Sequence, residues 1–397
     1  MTPSAPPAAV PVIVPTLLIA ASAVSILSTD MYAPSLPHLA SIFATDAATV
    51  QLTMTLNVAG FALAQLVLGP LSDARGRRPV MLAGMAAFAI LTLACGFAWS
   101  IGALIGARAA QGVVASVEAV IALAIIRDLY DEAAAVRLLA IYGMAIAAAP
   151  ALGPVIGGHV HVLLGWRANF YILAALIAAV AFLMWRRLPE TLPAEARLPL
   201  HPRTLLRHYL ALAASRRFIG YAVPSGLVLG GLFAFVTAGP FVLIEHLGVA
   251  TEAFGYYQAV IVAGYVAGAI LTHRIVGRAS VEGLLRAGLA LMAAGGAATV
   301  IAALAWESPA TLTAAMTLFA FGMGPFFSAA PARALAEGGP RAGVASALIG
   351  SIEMLGAAAG SLAVGLLYDG TAGPLAWTVA ASAVLAGAVY AAARPWR

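Results

Sequence analysis

The stretch Gly69-Pro70-Leu71-Ser72-Asp73-Ala74-Arg75-Gly76-Arg77-Arg78-Pro79 decides the fold of this chain. It lies between two apolar runs that each reach the roughly 20 residues needed to cross a bilayer. Within it, Asp73 can pair with Arg77, while Gly69 permits close helix approach and Gly76 permits a bend in the backbone. The stretch therefore predicts a tight, charged turn that joins two membrane-spanning helices and can hold one face of the protein shut.

The composition of the whole chain agrees with a lipid-facing protein. Of its 397 residues, 62% are hydrophobic and only 9% are charged, whereas a soluble domain carries about 25% charged residues. This excludes a soluble cofactor-binding enzyme, a nucleic-acid-binding protein and a disulfide scaffold. Cys95 is the only cysteine, and no lysine is available for a phosphate-binding loop. We therefore expect no enzyme activity, no cofactor, no resident metal and no nucleic-acid partner.

Twelve apolar runs divide the chain into two sets of six. The runs fall at about 12–33, 49–71, 79–98, 101–127, 137–163, 168–186, 217–244, 252–274, 282–305, 310–333, 342–368 and 374–393. They predict an all-α membrane protein with 12 transmembrane helices in two six-helix bundles. The predicted segments are a disordered tip (1–11), a first bundle (12–186), a basic, proline-broken linker outside the hydrocarbon (187–216), a second bundle (217–393) and a tail (394–397).

Arginine placement predicts the orientation. If both termini are cytoplasmic, 19 of the 21 arginines lie in the inner loops, the linker and the tail. The outer loops instead carry Asp46, Glu245, Glu252 and Glu307. Because positive residues concentrate on the cytoplasmic side, this count predicts cytoplasmic termini and a multi-pass protein of the inner membrane.

Four motifs together resemble the major facilitator superfamily. The charged turn is similar to the signature loop between the second and third helices of that family. The stretch Thr29–Pro37 resembles the entry signature of its Bcr/CflA-type drug:proton antiporters, a group that includes bicyclomycin and chloramphenicol exporters. Arg108–Gly112 and Pro150–Gly158 resemble two further motifs, and the second of these is the antiporter motif.

The resemblance implies the major facilitator fold and proton-driven export of drugs or toxic small molecules by alternating access. It also implies that a monomer is the working unit and that Arg108 has a functional role. The residues that it places in the antiporter motif are Pro150, Gly153, Pro154, Gly157 and Gly158.

Asp30 is the predicted proton carrier on physical grounds. An ionised carboxylate is costly in hydrocarbon, so this side chain must either pair with a cation or take up a proton. At 1.5 Å per residue, Asp30 lies about 6 Å inside the helix end at Pro34, and Arg108 lies about 10 Å inside the outer end of its span. We therefore expect the two side chains to form a proton-coupling pair at similar depth. The alternatives are a helix-capping Asp30 and an Arg108 that binds backbone carbonyls.

Two further acids lie in apolar surroundings and are candidates for a substrate cavity. These are Glu118 in the fourth span and Glu353 in the eleventh, and each can equally be a neutral, hydrogen-bonded structural acid. Weaker cavity candidates are Tyr32, Asn57, Gln65, Tyr142, Phe233, Phe235, Tyr257 and Gln258.

Glycines predict two further features. We expect the fifth span to pack on the eighth at Gly264 and Gly268, and the segment Gly322–Phe327 to form a flexible break.

Two functions remain open from the sequence. The first is proton-coupled efflux of small lipophilic compounds, with protons and membrane lipid as the other partners. The second is a facilitator or importer of a small nutrient. An organic-anion carrier normally places several basic residues in its cavity, and only Arg108 is available here.

Overall fold

The computed structural model describes residues 13–197, 199, 201–339 and 342–396. The tip predicted at residues 1–11 lies outside the described residues, as does Arg397 of the predicted tail. Within these ranges, twelve spans are long and apolar enough to cross a membrane. The twelve-helix, all-α prediction is therefore confirmed.

The α-helices follow one another along the chain, separated by short turns. They are α1 (Ile13–Asp30), α2 (Leu36–Ile42), α3 (Ala47–Arg75), α4 (Arg77–Gly96), α5 (Ile101–Leu129), α6 (Glu132–Leu164), α7 (Trp166–Arg187), α8 (Pro202–Ala213), α9 (Arg216–Pro240), α10 (Phe254–Ile275), α11 (Val281–Ala305), α12 (Pro309–Phe327), α13 (Ala330–Ala336), α14 (Ala342–Leu367) and α15 (Gly373–Ala393). Tight 3-10 turns occupy Ala33–Ser35 and Ala194–Ala196, and a π turn occupies Phe241–His246. The predicted runs agree with the twelve membrane spans to within four residues, except at the first span, which continues through a turn and α2 to Ile42. The seventh span joins α9 to the π turn, and the tenth joins α12 to α13.

Polar residues fix where several helices begin. At each of these starts, a side-chain oxygen accepts a hydrogen bond from the backbone N–H three residues later, which satisfies a donor that the helix leaves free. The residues are Asp46, Ser100, Asp131, Ser215, Ser280 and Ser308.

The spans form two bundles, each with its own hydrophobic core. The first core draws on α1 and α4 to α7, and the second draws on α9 to α12, α14 and α15. The bundles meet along α3 and α14. There the hydroxyls of Thr55 and Ser361 lie 2.7 Å apart, and Val58 packs against Ala357 and Ala358.

Facing glycines bring α9 and α14 into backbone contact. A Cβ atom on Gly356 would lie 2.1 Å from the carbonyl oxygen of Gly226, and one on Gly360 would lie 2.0 Å from that of Gly230. Each pair of glycines has the four-residue spacing with which membrane helices approach closely without a hydrophobic driving force. This contact holds the seam helix α14 against its own bundle.

Two glycine predictions are wrong in their details. Gly264 and Gly268 do not face the fifth span, because Cβ atoms there would meet Thr317 and Phe321 of α12. The segment Gly322–Phe327 is not a break but the continuous end of α12. Its glycines allow α12 to pack tightly on α10 and α11.

The linker contains a helix that the sequence did not predict. Helix α8 begins with Pro202 at its first position, where the missing N–H costs nothing. The Tyr209 hydroxyl donates a 2.8 Å hydrogen bond to the carbonyl oxygen of Leu66. That carbonyl has no helical partner, because residue 70, four positions later, is a proline without an N–H. Burial raises the pKa of Tyr209 to about 12, so its hydroxyl keeps the proton that it donates.

Removing this hydroxyl is expected to destabilise the protein only while Pro70 is present. Tyr209→Phe leaves a buried carbonyl unsatisfied and should lower the free energy of unfolding by about 1 kcal/mol. Thermal unfolding of the purified protein in detergent measures the loss. In a Pro70→Ala background the new N–H can bond the Leu66 carbonyl, so Tyr209→Phe should cost clearly less there. Equal losses in both backgrounds would contradict this role of Tyr209.

Candidate functional site

Arg108 is fully buried in the first bundle and is held by neutral groups. One of its guanidinium nitrogens, Nη1, donates to the backbone oxygen of Ser28 at 2.9 Å and to Oε1 of Gln111 at 2.6 Å. The ring of Tyr32 lies under the guanidinium, with its centroid 4.7 Å from Cζ. These contacts stabilise a permanent positive charge without placing a carboxylate on it.

Neighbouring helices fix the position of Arg108. Gln111 donates from Nε2 to the Thr92 hydroxyl at 2.7 Å, which anchors it on α4. Asn57 of α3 donates to the Arg108 backbone oxygen at 2.8 Å. A Cβ atom on Gly112 would lie 1.9 Å from the Asn57 carbonyl oxygen, so α3 and α5 cross almost backbone to backbone.

Asp30 is the last residue of α1, and residues on either side of it in the chain contact Arg108. Ser28, two residues earlier, accepts from Arg108, and Tyr32, two residues later, lies under it. Asp30 is 6% exposed and within electrostatic reach of the guanidinium. Among the residues that the structure describes, however, no ion pair within 4.0 Å joins the two side chains. The two side chains are therefore near each other but do not form the predicted pair. Arg108 binds the Ser28 backbone carbonyl instead.

The glycines of α6 pack directly against Asp30. A Cβ atom on Gly153 would lie 2.8 Å from the Asp30 Cβ, and one on Gly157 would lie 1.7 Å from the Met31 carbonyl oxygen. On the same helix, a Cβ atom on Gly158 would lie 2.8 Å from the backbone oxygen of Thr251, which precedes α10. The same run of α6 thus touches both the acid and the second bundle.

A proline in α6 creates a bond between the bundles. Because Pro154 has no N–H, the carbonyl of Pro150 loses its helical donor. Gln258 of α10 supplies one from Nε2 at 3.2 Å. This pairing was not predicted, although the four-residue spacing of the two prolines marks the free carbonyl.

Residues of the charged turn between α3 and α4 contact other helices of the first bundle and the start of the linker. Arg77 forms an ion pair with Asp73, and its Nε lies 3.3 Å from Asp128 Oδ2. Arg78 donates to the Trp185 backbone oxygen at 2.9 Å. Gly69 meets only Val120, at an ordinary 3.4 Å, so the expectation that it allows close helix approach is wrong.

Glu190 of the linker caps this turn and was not predicted. Its Oε1 accepts from the Arg77 N–H at 2.9 Å. Gly76 has a φ of +99°, and a Cβ atom there would lie 2.4 Å from Glu190 Oε2. The turn therefore requires glycine both for its backbone angle and for the space that Glu190 occupies.

The acidic cavity candidates differ in their surroundings. Glu118 accepts a hydrogen bond from Ser22, whose hydroxyl also lies 2.8 Å from that of Tyr142. Glu353 lies on α14 between the face that meets α3 and the face that meets α9. Its Oε1 is buried and has no hydrogen-bond partner in the described part of the chain.

The aromatic candidates do not form one cavity wall. Phe233 packs at the seam with Val58, whereas Phe235 is 1% exposed and stacks on Phe254 inside the second core. Tyr257 packs against that same core. Tyr32 is fully buried beneath Arg108. The structure thus contradicts a cavity position for Phe235 and Tyr32.

Comparison with known proteins agrees with this architecture. The family model described as "Major Facilitator Superfamily" matches residues 18–361. The chain is 32% identical to a Haemophilus influenzae protein named as a bicyclomycin resistance protein homolog, over 91% of each chain. It is 31% identical to the multidrug transporter MdfA of Yersinia pestis, over 83% of this chain and 80% of the relative.

A solved structure shows the same fold. It is a bacterial homologue of the human lysosomal transporter Spinster, in an inward-facing and unoccupied conformation. It has a TM-score of 0.76 and 16% identity and covers 96% of this chain and 97% of its own.

Replacing a glycine of α6 that packs on the Asp30–Met31 segment should disturb the site, whereas replacing one that faces open space should not. Gly157→Ala forces a methyl group against the Met31 carbonyl, and overpacking of this kind typically costs about 1–3 kcal/mol. Gly143→Ala in the same helix meets nothing within 4 Å. We expect a lower melting temperature and folded yield for Gly157→Ala only. Equal behaviour of the two variants would refute close packing at Gly157.

Proposed function

The chain belongs to the Major Facilitator Superfamily, and on that premise we propose that it exports small lipophilic compounds in exchange for protons. The family transports molecules rather than converting them, and the chain is a multi-pass protein of the bacterial inner membrane. Two kinds of relative support export, since one is named for bicyclomycin resistance and another for multidrug transport.

The observation that carries the proposal is a buried acid beside a cation that does not bind it. Arg108 donates to Ser28 and Gln111 rather than to Asp30. A carboxylate locked in a salt bridge could not easily take up a proton, and an isolated one would stay protonated. Asp30 has a positive charge nearby but keeps its oxygens outside that hydrogen-bond network, so it can alternate between the two states.

The packing of α6 supports coupling between this proton and the conformation. Asp30 packs against Gly153 of α6, while Gly158 in the next turn contacts Thr251 in the loop before α10. Substrate binding and proton binding then favour different arrangements of the two bundles, which is the requirement for coupled exchange. Asp30 gains its proton from the outside, and this proton favours the inward-facing state.

The orientation follows the arginines. We place both termini and the 187–216 linker in the cytoplasm, with residues 12–186 and 217–393 as the two moving bundles of a monomer. In that orientation, the contacts of Gly158 with Thr251 and of Phe241 with Tyr368 lie at the periplasmic end. The membrane potential then contributes about 2.3 kcal/mol per charge per 100 mV to export.

The substrate class is lipophilic, with a preference for cations. Glu118 and Glu353 add two acids to Asp30, against Arg108 as their counter-charge. The Oε1 of Glu353 has no partner in the described ranges, so it gives a positively charged substrate a free acceptor.

The alternative is a facilitator or importer of a small nutrient. A facilitator equilibrates its substrate across the membrane and needs no proton. Its function therefore requires no buried acid beside a buried arginine. Import and export differ in direction, which everted membrane vesicles report directly.

Asp30→Asn should abolish proton-coupled export without unfolding the protein, because it removes the exchangeable proton and preserves the shape of the side chain. In everted vesicles that carry a luminal pH dye, ethidium should release luminal protons with the wild type and not with the variant. Asp46→Asn is the matched control, since Asp46 caps α3 at the surface and asparagine also caps helices.

The Asp30 experiment also separates the proposed functions. Vesicles with Asp30→Asn that still concentrate ethidium against a gradient would overturn the role of Asp30. Wild-type vesicles that move substrate without releasing protons would point to a facilitator.

Glu353→Gln should weaken the export of cations but not of neutral compounds. The loss of one buried charge contact, about 1.4 kcal/mol, corresponds to about a tenfold rise in the half-saturating ethidium concentration. Chloramphenicol, which is neutral, should be exported as before. Glu307→Gln is the control, because Glu307 pairs with His246 at the surface. A similar loss for both substrates would assign Glu353 a structural role instead.

A further inference from the structure

A groove on the outer face of the first bundle has the features of a lipid-binding site. It encloses about 720 Å³ between α3, α4 and α5, well away from Asp30. Its lining is largely aliphatic, with Leu68, Val80 and Val113 on the three helices. Gly84 at its base packs against Val117, so the floor is closed by tight contact between α4 and α5.

The groove opens on the surface that faces lipid. Beside it, Leu63 is 56% exposed and Val67 is 52% exposed, and Val113 in its lining is 43% exposed. On α4 its lining runs from Pro79 to Ala87, which corresponds to about 12 Å of helix. One leaflet contributes about 15 Å of hydrocarbon. The groove therefore matches the depth to which an acyl chain extends from the arginine-rich end.

Two arginines lie in the lining at that same end. Arg75 is exposed at the end of α3, and Arg197 reaches it from the linker. The Nε of Arg197 is buried and has no hydrogen-bond partner among the described residues.

The nearest acid forms only a long ion pair with Arg197. Glu190 Oε2 lies 3.8 Å from Arg197 Nη2, which is a long contact. The other oxygen of Glu190 accepts from the N–H groups of Arg77, Thr191 and Leu192. The Arg197 side chain is 34% exposed, and Nε is the one donor of this side chain that is buried without a partner among the described residues. Such a donor at the edge of the groove favours an anion there.

We infer that the groove binds one phospholipid with an anionic headgroup, independently of the transported substrate. The acyl chain lies against Leu68, Val80 and Val113, and the phosphate lies between Arg75 and Arg197. The lipid thereby joins the linker to the turn between α3 and α4. Anionic lipid is chosen over neutral lipid because both arginines act on the same headgroup.

Native mass spectrometry of the purified full-length protein tests this site. After delipidation, the protein is mixed with dioleoyl phosphatidylglycerol or with dioleoyl phosphatidylcholine, which has the same chains. We expect one phosphatidylglycerol to remain bound at least tenfold more than phosphatidylcholine. Equal retention of the two lipids would overturn the proposal.

Variants separate the headgroup contact from the groove. Arg75→Ala with Arg197→Ala should remove the preference for phosphatidylglycerol, whereas Arg278→Ala, at the exposed turn after α10, should keep it. Ala83→Phe fills the groove and leaves both arginines, so it should lower retention of phosphatidylglycerol at least tenfold even if the arginine variant fails to fold. Full retention by Ala83→Phe, or binding of inorganic phosphate alone with the same affinity, would show a surface anion site and refute the lipid site.

Discussion

A fully buried guanidinium sets the conditions for the rest of the site. Arg108 cannot lose its charge, so its surroundings must stabilise that charge whether or not Asp30 carries a proton. The Ser28 carbonyl, Gln111 and the face of Tyr32 do this with neutral groups. Among the described residues, Asp30 therefore makes no direct ion pair with Arg108. Had Arg108 and Asp30 formed a bidentate salt bridge, removing one charge would have left the other buried and uncompensated.

Prolines create contacts as well as bends in this fold. In a membrane, a carbonyl that a proline deprives of its helical donor must find another partner. Leu66 finds the Tyr209 hydroxyl of the linker, and Pro150 finds the Gln258 amide of the other bundle. The first bond joins the first bundle to the linker, and the second joins the two bundles to each other. Each has a single donor, so it can break and re-form at modest cost, unlike an apolar interface of the same extent.

The sequence predicted what depends on span length and local charge. The twelve spans, the charged turn and the shared depth of Asp30 and Arg108 follow from the thickness of the bilayer and the helical rise. The packing partners of the glycines could not be predicted from span length or charge. Gly264 and Gly268 lie on a helix with several faces narrow enough for close packing, and only the assembled bundle selects α12 over α6. Glu190 was not predicted for a similar reason. Only the folded chain brings this linker residue next to the turn between α3 and α4.

The turn between α3 and α4 is connected to the second bundle through the linker. Its described contacts lie on α5, on α7 and on Glu190, all on the near side of the seam. Beyond Glu190 the chain continues to α8, which binds Leu66 and packs on both α9 and α14. A motion that separates the bundles at this end must therefore move α8 relative to at least one of them. The requirement for glycine at Gly76 thus concerns the attachment of the linker as much as the bend itself.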